Sequence, residues 1–144
     1  MATIQTDIAA KQTTTSLDKK LGTTEFGGRV RLIHGSITPT GTNSAGTIIE
    51  LARIPKGARV LPQSQVHFEA GQNASLTVKI GDYTDDDRYF AAAAPGANAT
   101  SINLTGNRLG NYVAADEEML ILTTGAQALT ASKKITFDIF FVVD

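Results

Sequence analysis

Side chains able to ligate a metal or to carry a proton at neutral pH are scarce in this sequence. His34 and His67 are its two histidines, and both lie in segments with the residue pattern of β-strands. A catalytic metal site takes about three protein ligands, commonly histidines with a carboxylate. We therefore predict no metal centre. We interpret His67 as an exposed or hydrogen-bonded residue, with a polar contact across a subunit interface as the alternative.

Acidic residues cluster at Asp82 and at positions 85–87. Several carboxylates on a flexible loop suit a calcium ion. This segment lacks the glycine at the sixth position and the distal glutamate of an EF-hand loop, and carboxylates at the start of a helix account for it without an ion. We therefore expect no bound cation. Asp138 is interpreted as an outward-facing strand residue and not as half of a catalytic pair.

Nucleophiles have no supporting motif. Cysteine is absent, which excludes a thiol nucleophile, a zinc–thiolate site and disulfide bonds. Ser36 follows Gly35 but lacks the Gly-x-Ser-x-Gly pattern of a nucleophile elbow. The glycines at 22, 27 and 28 do not form a phosphate-binding loop before a helix. We therefore predict that the protein is not an enzyme and needs no cofactor.

The segments that must position these side chains are predicted to be β-strands. Polar and apolar residues alternate over residues 65–70 and 76–80, and the alternation is longest over residues 135–143. Turn residues separate such runs at intervals of about ten residues. About eight antiparallel strands with this spacing indicate an all-β sandwich or barrel. The other predicted strands cover residues 29–37, 47–54, 58–61 and 119–124.

Two features depart from strict alternation. The apolar doublets at 32–33 and 48–49 interrupt their strands, which β-bulges or burial on both faces would explain. Residues 85–94 place three aspartates before a run of alanines and end at Pro95-Gly96. Acidic residues at a helix start and alanine in its interior predict a short helical turn there.

Composition limits the class of protein. The chain has 144 residues, of which 42% are hydrophobic and 19% charged, too apolar for disorder and too interrupted for a transmembrane segment. A net charge of -1 gives no basic surface for a phosphate backbone, so neither nucleic acid nor a membrane is predicted as a partner. The amino terminus lacks the pattern of a secretory signal, and the absence of cysteine favours folding in the cytoplasm.

The first 27 residues differ from the rest and are predicted to be an amino-terminal arm, followed by one β-sandwich domain over residues 28–144. The arm is polar and threonine-rich with few aliphatic residues, so it is either a loosely ordered extension or a segment that orders on a neighbouring subunit. The second face of the last strand becomes apolar near its end, and is covered there by the protein itself or by another chain. The candidate interface residues are Ile4, Ile8, Leu17, Phe140 and Val142.

Four segments together resemble a known group of proteins. Residues 28–37, the Ile-Pro-Lys-Gly-Ala-Arg-Val corner within 47–60, the strand 76–82 ending in Ile-Gly-Asp, and Asp-Arg-Tyr-Phe at 87–90 are similar to small head-completion and decoration proteins of tailed bacteriophages. The resemblance implies a jelly-roll cement protein on the capsid exterior, assembled in the host cytoplasm. Such proteins staple neighbouring major capsid subunits, generally as dimers or trimers, and the resemblance implies no catalytic residues.

A binding module of another class is the alternative. The three tyrosines at 83, 89 and 112, with polar loops, would suit a carbohydrate- or receptor-binding β-sandwich of a phage tail. Against this, tryptophan is absent and aromatic residues make up 6% of the chain, whereas sugar platforms usually need large exposed rings. A tyrosine in a β-sandwich is more often a core or corner residue.

Overall fold

The computed structural model describes residues 29–41, 43–105 and 112–143. These residues form nine β-strands and no α-helix, and within them no helix is long and apolar enough to cross a membrane. The predicted arm over residues 1–27, with Ile4, Ile8 and Leu17, lies outside the described residues. The strands are β1 (Arg31–Ile37), β2 (Ile48–Ile54), β3 (Ala58–Val60), β4 (Gln65–Phe68), β5 (Thr77–Asp82), β6 (Phe90–Ala93), β7 (Thr100–Asn103), β8 (Glu118–Gly125) and β9 (Ile135–Val143).

The strands form two antiparallel sheets. The five-stranded sheet has the order β1-β9-β4-β7, and β3 also pairs with β9. The four-stranded sheet has the order β2-β8-β5-β6. The chain therefore crosses repeatedly between the two sheets, although β3 and β4 lie in one sheet and β5 and β6 in the other. The buried faces of the sheets enclose one cluster of apolar side chains. The predicted all-β antiparallel sandwich is confirmed.

Alternation along the strands decides which side chains enter this core. In β4, Val66 and Phe68 are fully buried, whereas Gln65 and His67 are exposed. In β9, the predicted inward series begins at Ile135 and is buried through position 141. Each fully buried aliphatic or aromatic side chain contributes about 1.5–3 kcal/mol relative to an exposed one. The period-two pattern in the sequence is thus the pattern of burial in the sandwich.

The second predicted strand contains a bulge, but not at the apolar doublet 48–49, where Ile48 is exposed and Ile49 is buried as in regular alternation; β1 shows no register shift at the doublet 32–33. The register of β2 against β8 shifts between Glu50 and Ala52, and Leu51 and Ala52 are both buried. An extra residue on one strand lets two neighbouring side chains face the core. A sharp turn follows, in which Gly57 has a positive φ of 79° and the amide of Ala58 donates to the carbonyl of Pro55 at 3.1 Å. This turn, which favours glycine, leads the chain from β2 to β3.

The helical turn predicted over residues 85–94 is wrong. Residues 90–93 are β6, and the segment before them is a turn that returns the chain to β5. The amide of Tyr89 donates to the carbonyl of Ile80 at 3.0 Å, and the Tyr89 side chain is fully buried. Burial of a large aromatic ring and a strand ladder outweigh the helix preference of a few alanines, which is under 1 kcal/mol per residue.

The contrast between core and surface predicts unequal effects of the same truncation. Leu120 in β8 is 0% exposed and Leu32 in β1 is 53% exposed. We expect Leu120→Ala to lower the free energy of unfolding by about 2–5 kcal/mol because it leaves a cavity. Leu32→Ala should change it by less than about 0.5 kcal/mol. Urea unfolding of both variants measures this, and equal effects would contradict the assigned burial.

Candidate interaction surface

The outer face of the five-stranded sheet carries two rows of short polar side chains. Residues that lie opposite each other on paired antiparallel strands share a face, and β1, β9, β4 and β7 are adjacent in this sheet. All eight positions are exposed or half-buried, and none is lysine or arginine. The first row is Ser36, Thr136, His67 and Ser101, and the second is His34, Asp138, Gln65 and Asn103.

Both histidines lie in these polar rows, each with a hydrogen-bond partner. Nδ1 of His34 is 2.6 Å from a carboxylate oxygen of Asp138, and Nδ1 of His67 is 2.9 Å from the hydroxyl of Ser101. The side chains of the first pair are 66% and 45% exposed. The acid and the hydroxyl that a hydrolase triad needs therefore contact different histidines. Within the described residues, no group of three or more potential ligands could hold a metal ion.

Beside the polar rows the same face becomes apolar. Leu32 of β1 lies opposite Phe140 of β9, and Leu32 is exposed while Phe140 is half-buried. Val142 lies opposite Arg59 of β3 and is 6% exposed. Of the two alternatives for this strand end, cover by the protein itself therefore holds for Val142, so this candidate interface residue is buried within the chain. Leu32, which was not predicted, takes its place beside Phe140, and we call these two residues the apolar pair.

The acidic segment after β5 is organised around one buried carboxylate. Asp82 is 3% exposed. Its oxygens accept hydrogen bonds from the amide and hydroxyl of Thr84 at 2.8 and 2.5 Å, from the amide of Asp85 at 3.0 Å, and from Nε of Arg88 at 2.5 Å. Burial alone would raise the pKa of the Asp82 carboxyl, but the hydrogen bonds from Arg88 and Thr84 outweigh it and lower that pKa. The aspartates thus close a turn.

Two of the three tyrosines, Tyr89 and Tyr112, pack beside this turn. The guanidinium carbon of Arg88 lies 3.8 Å from the centre of the Tyr112 ring, a cation–π contact, and the Tyr112 hydroxyl donates to Glu118. Burial and then this hydrogen bond raise the pKa of Tyr112 to about 12. Tyr89 packs edge-on against Tyr112 with ring centres 6.4 Å apart. The interpretation of these two tyrosines as core or corner residues fits their packing.

The third tyrosine lines an open cleft beside the turn. Tyr83 is 62% exposed, and its hydroxyl donates to Glu50 at 2.7 Å, a contact that raises the pKa of Tyr83. The cleft has a volume of about 360 Å³ and is also lined by Arg53 and Glu117, whose side chains form an exposed ion pair at 2.8 Å. Such a pair is screened by solvent and contributes little to stability.

Comparisons with known proteins identify the fold. No protein-family model matches the sequence, and no curated protein matches it. A chain in the capsid of Ralstonia phage GP4 has a TM-score of 0.66 at 20% identity, over 81% of this chain and 86% of that one. A chain in the capsid asymmetric unit of cyanophage Pam1 has a TM-score of 0.54 at 18% identity, over 83% of this chain and 88% of that one. The chain therefore shares its fold with these two.

The buried Asp82–Arg88 pair predicts an acid-sensitive turn. A folded-state pKa below the ordinary value of about 3.9 means that the ionised carboxylate stabilises the fold above that pH, and that this is lost as the pH falls through the folded pKa. Asp82→Asn should lower the free energy of unfolding by about 3 kcal/mol near neutral pH, because it leaves Arg88 without its charge partner. It should also flatten the decline in acid.

Urea unfolding measured from about pH 7 to about pH 2 tests this. Arg88→Gln serves as the second variant, since the two residues act as one pair. The double variant should cost less than the sum of the two single variants. An acid decline as steep in Asp82→Asn as in the unmodified protein would contradict the assignment.

Proposed function

We propose that this protein is a viral structural protein, a capsid decoration or cement protein of a tailed bacteriophage. It binds the outer surface of the phage head as a homodimer or homotrimer and staples neighbouring major capsid subunits. The observation that carries the proposal is the fold, which is shared over most of the chain with chains in two phage capsids. The motifs at residues 28–90 support it independently.

The strand order supports the jelly-roll form of this proposal. With the short strand β3 set aside, eight strands form two four-stranded sheets in the orders β1-β9-β4-β7 and β2-β8-β5-β6. The first and last strands of the set, β1 and β9, are neighbours in one sheet, and the second and second-to-last strands, β2 and β8, are neighbours in the other. Eight antiparallel strands with this order in two four-stranded sheets are typical of a jelly roll.

The outer face of the five-stranded sheet is the surface we assign to the capsid. Its polar rows hold Asp138 as their one acidic residue and no long cationic side chain, so docking does not require desolvating many charges. The apolar pair, Leu32 and Phe140, lies at one end of the rows and supplies surface that gains from burial, about 1.5–3 kcal/mol per side chain at full burial. This contact is modest for one subunit.

Binding through modest contacts becomes strong when subunits are linked. Once one subunit of an oligomer is bound, the next binds at a high effective concentration, so affinity rises without new kinds of contact. We assign the linking role to the amino-terminal arm, with Ile4, Ile8 and Leu17, acting on neighbouring copies. The partners are then the major capsid protein and the protein itself, and the working location is the exterior of the virion.

A carbohydrate- or receptor-binding module is the second candidate function. The observation that favours it is the exposed ring of Tyr83 beside an open cleft. One exposed tyrosine is a small platform, since the rings of Tyr89 and Tyr112 pack against each other. A module of this kind would bind glycan as a monomer, which separates it from the first proposal.

Oligomeric state is the first expected outcome. Full-length protein should elute as a stable dimer or trimer at micromolar concentration, and a variant beginning at Gly28 should elute as a monomer, because the proposed link lies in the arm. Size exclusion coupled to light scattering measures both masses. A strictly monomeric full-length chain would remove the pre-formed staple and favour the glycan-binding alternative, to be screened on a glycan array.

Capsid binding is the second expected outcome. Leu32→Lys places a charge in the apolar pair and should weaken binding to assembled phage heads at least about tenfold, since losing about 1.5 kcal/mol of burial corresponds to that factor. The matched control is Ala92→Lys, at an exposed position of β6 in the other sheet. Co-sedimentation with heads that lack the protein measures binding. Equal loss in both variants, or none in Leu32→Lys, would contradict the assigned face.

A further inference from the structure

An open groove runs between the two sheets where their first strands meet. β1 is the outermost strand of the five-stranded sheet and β2 is the outermost strand of the four-stranded sheet. The groove has a volume of about 510 Å³. Ile37 and Ile48, at the adjoining ends of these strands, form its walls together with Tyr83. Among the described residues, no further strand pairs with the outer side of β1 or of β2, so the two edges place strand backbone on either side of an apolar surface.

Exposed apolar side chains in the described residues concentrate on these edges. Of the five large hydrophobic residues that are more than a third exposed, four lie in β1, in β2 or directly before β1, and the fifth, Tyr83, follows β5. Ile37, Ile48 and Tyr83 line the groove, at 38%, 47% and 62% exposed, and the other two lie in β1 or directly before it. Clustered exposed apolar residues mark surfaces that bind another segment or chain.

The opposite edges of the sandwich lack these features. β6 and β7 are the outermost strands there, with four residues each. Short edge strands with small or polar side chains offer little to an added strand. β1 and β2 have seven residues each, and each exposes an isoleucine where β6 and β7 expose small or polar side chains. Within the described sandwich, the β1/β2 edge is thus the one best suited to bind an added strand.

We propose that this groove binds residues 17–21 of a second copy, in extended form. This inference rests on the proposed function, because only an arm that binds a neighbour links two copies. Residues 1–28 precede the described chain, which begins two residues before β1. Eight residue steps separate Leu21 from Arg29, the first described residue, and fully extended they reach about 28 Å, while the seven residues of β1 span about 23 Å. The segment is therefore able to reach the groove of a copy that lies directly beside it.

The side chains of this segment are complementary to the groove. In an extended chain Leu17, Lys19 and Leu21 lie on one face. On β2, the exposed residues Ile48 and Glu50 share one face in the same way, and both line the groove. Leucines against the isoleucines bury apolar surface, and the lysine meets the glutamate. An added strand of this type gains main-chain hydrogen bonds from the edge and specificity from alternate side chains.

Disulfide trapping in the full-length chain tests the proposal, since the protein has no cysteine of its own. Leu17→Cys and Ile48→Cys are made as separate variants with different affinity tags, mixed, and oxidised mildly. We expect a mixed disulfide dimer, formed at least about tenfold faster than when Ala92→Cys replaces Ile48→Cys, because docking raises the local concentration of the two thiols. Ala92 lies on β6, at the opposite edge.

Each other result overturns the inference. Absence of the mixed dimer, or equal rates with Ala92→Cys, means that the segment does not dock in the groove. Dominant Ile48→Cys homodimers mean that edges of two copies pair directly. A variant that carries both Leu17→Cys and Ile48→Cys reports on the same chain: a disulfide within it, with no mixed dimer from the single variants, means that the arm covers its own groove. Light scattering and head binding of the reduced variants separate this failure from failure of the proposed function, which would abolish both association and binding.

Discussion

The pairing of β9 is the constraint on which the five-stranded sheet depends. β9 pairs with β1 along one side, and with β4 and then β3 along the other. The change of partner occurs at Phe140, whose amide donates to the hydroxyl of Ser64 at 2.8 Å while that hydroxyl lies 3.1 Å from its carbonyl. Ser64 is fully buried. This side chain thus pairs with the amide of Phe140 and adds a second donor to its carbonyl, which also accepts from the amide of Leu61 at 2.8 Å.

This constraint explains why the sequence predicts most of the sandwich. A one-residue slip of β9 would turn its entire apolar series away from the core, so the alternation at 135–143 fixes register as well as strand identity. The strands that the sequence misses are β6 and β7, with four residues each. These strands are too short for an alternation of polar and apolar residues to be recognised. β6 forms because Tyr89 is buried in the core and its amide donates to the carbonyl of Ile80 on the neighbouring strand.

The turn at Asp82 shows how close backbone packing overrides a helix-like sequence pattern. Three aspartates before alanines favour a helix start, but Gly81 lies so close to the turn that an added Cβ would be 2.1 Å from the carbonyl oxygen of Asp85. Glycine there permits the backbone to fold tightly over Asp82. The candidate surface, in contrast, depends on residues far apart in the sequence. Leu32 and Phe140 are 108 positions apart in the chain, so no periodicity in either strand shows that they are opposite.

The surface proposed to bind the capsid and the groove proposed to link two copies both include residues of β1. β1 presents Leu32 on the outer face of its sheet and Ile37 at the groove. The apolar pair supplies at most about 3–6 kcal/mol, since both side chains are already partly buried, and association costs about 4–15 kcal/mol in lost freedom. One subunit alone therefore gains little. In a linked oligomer, the first subunit to bind loses most of this freedom for all of them, and each further subunit adds its own contact with the capsid. In this proposal, docking of the arm in the groove therefore determines whether the outer face binds the capsid stably.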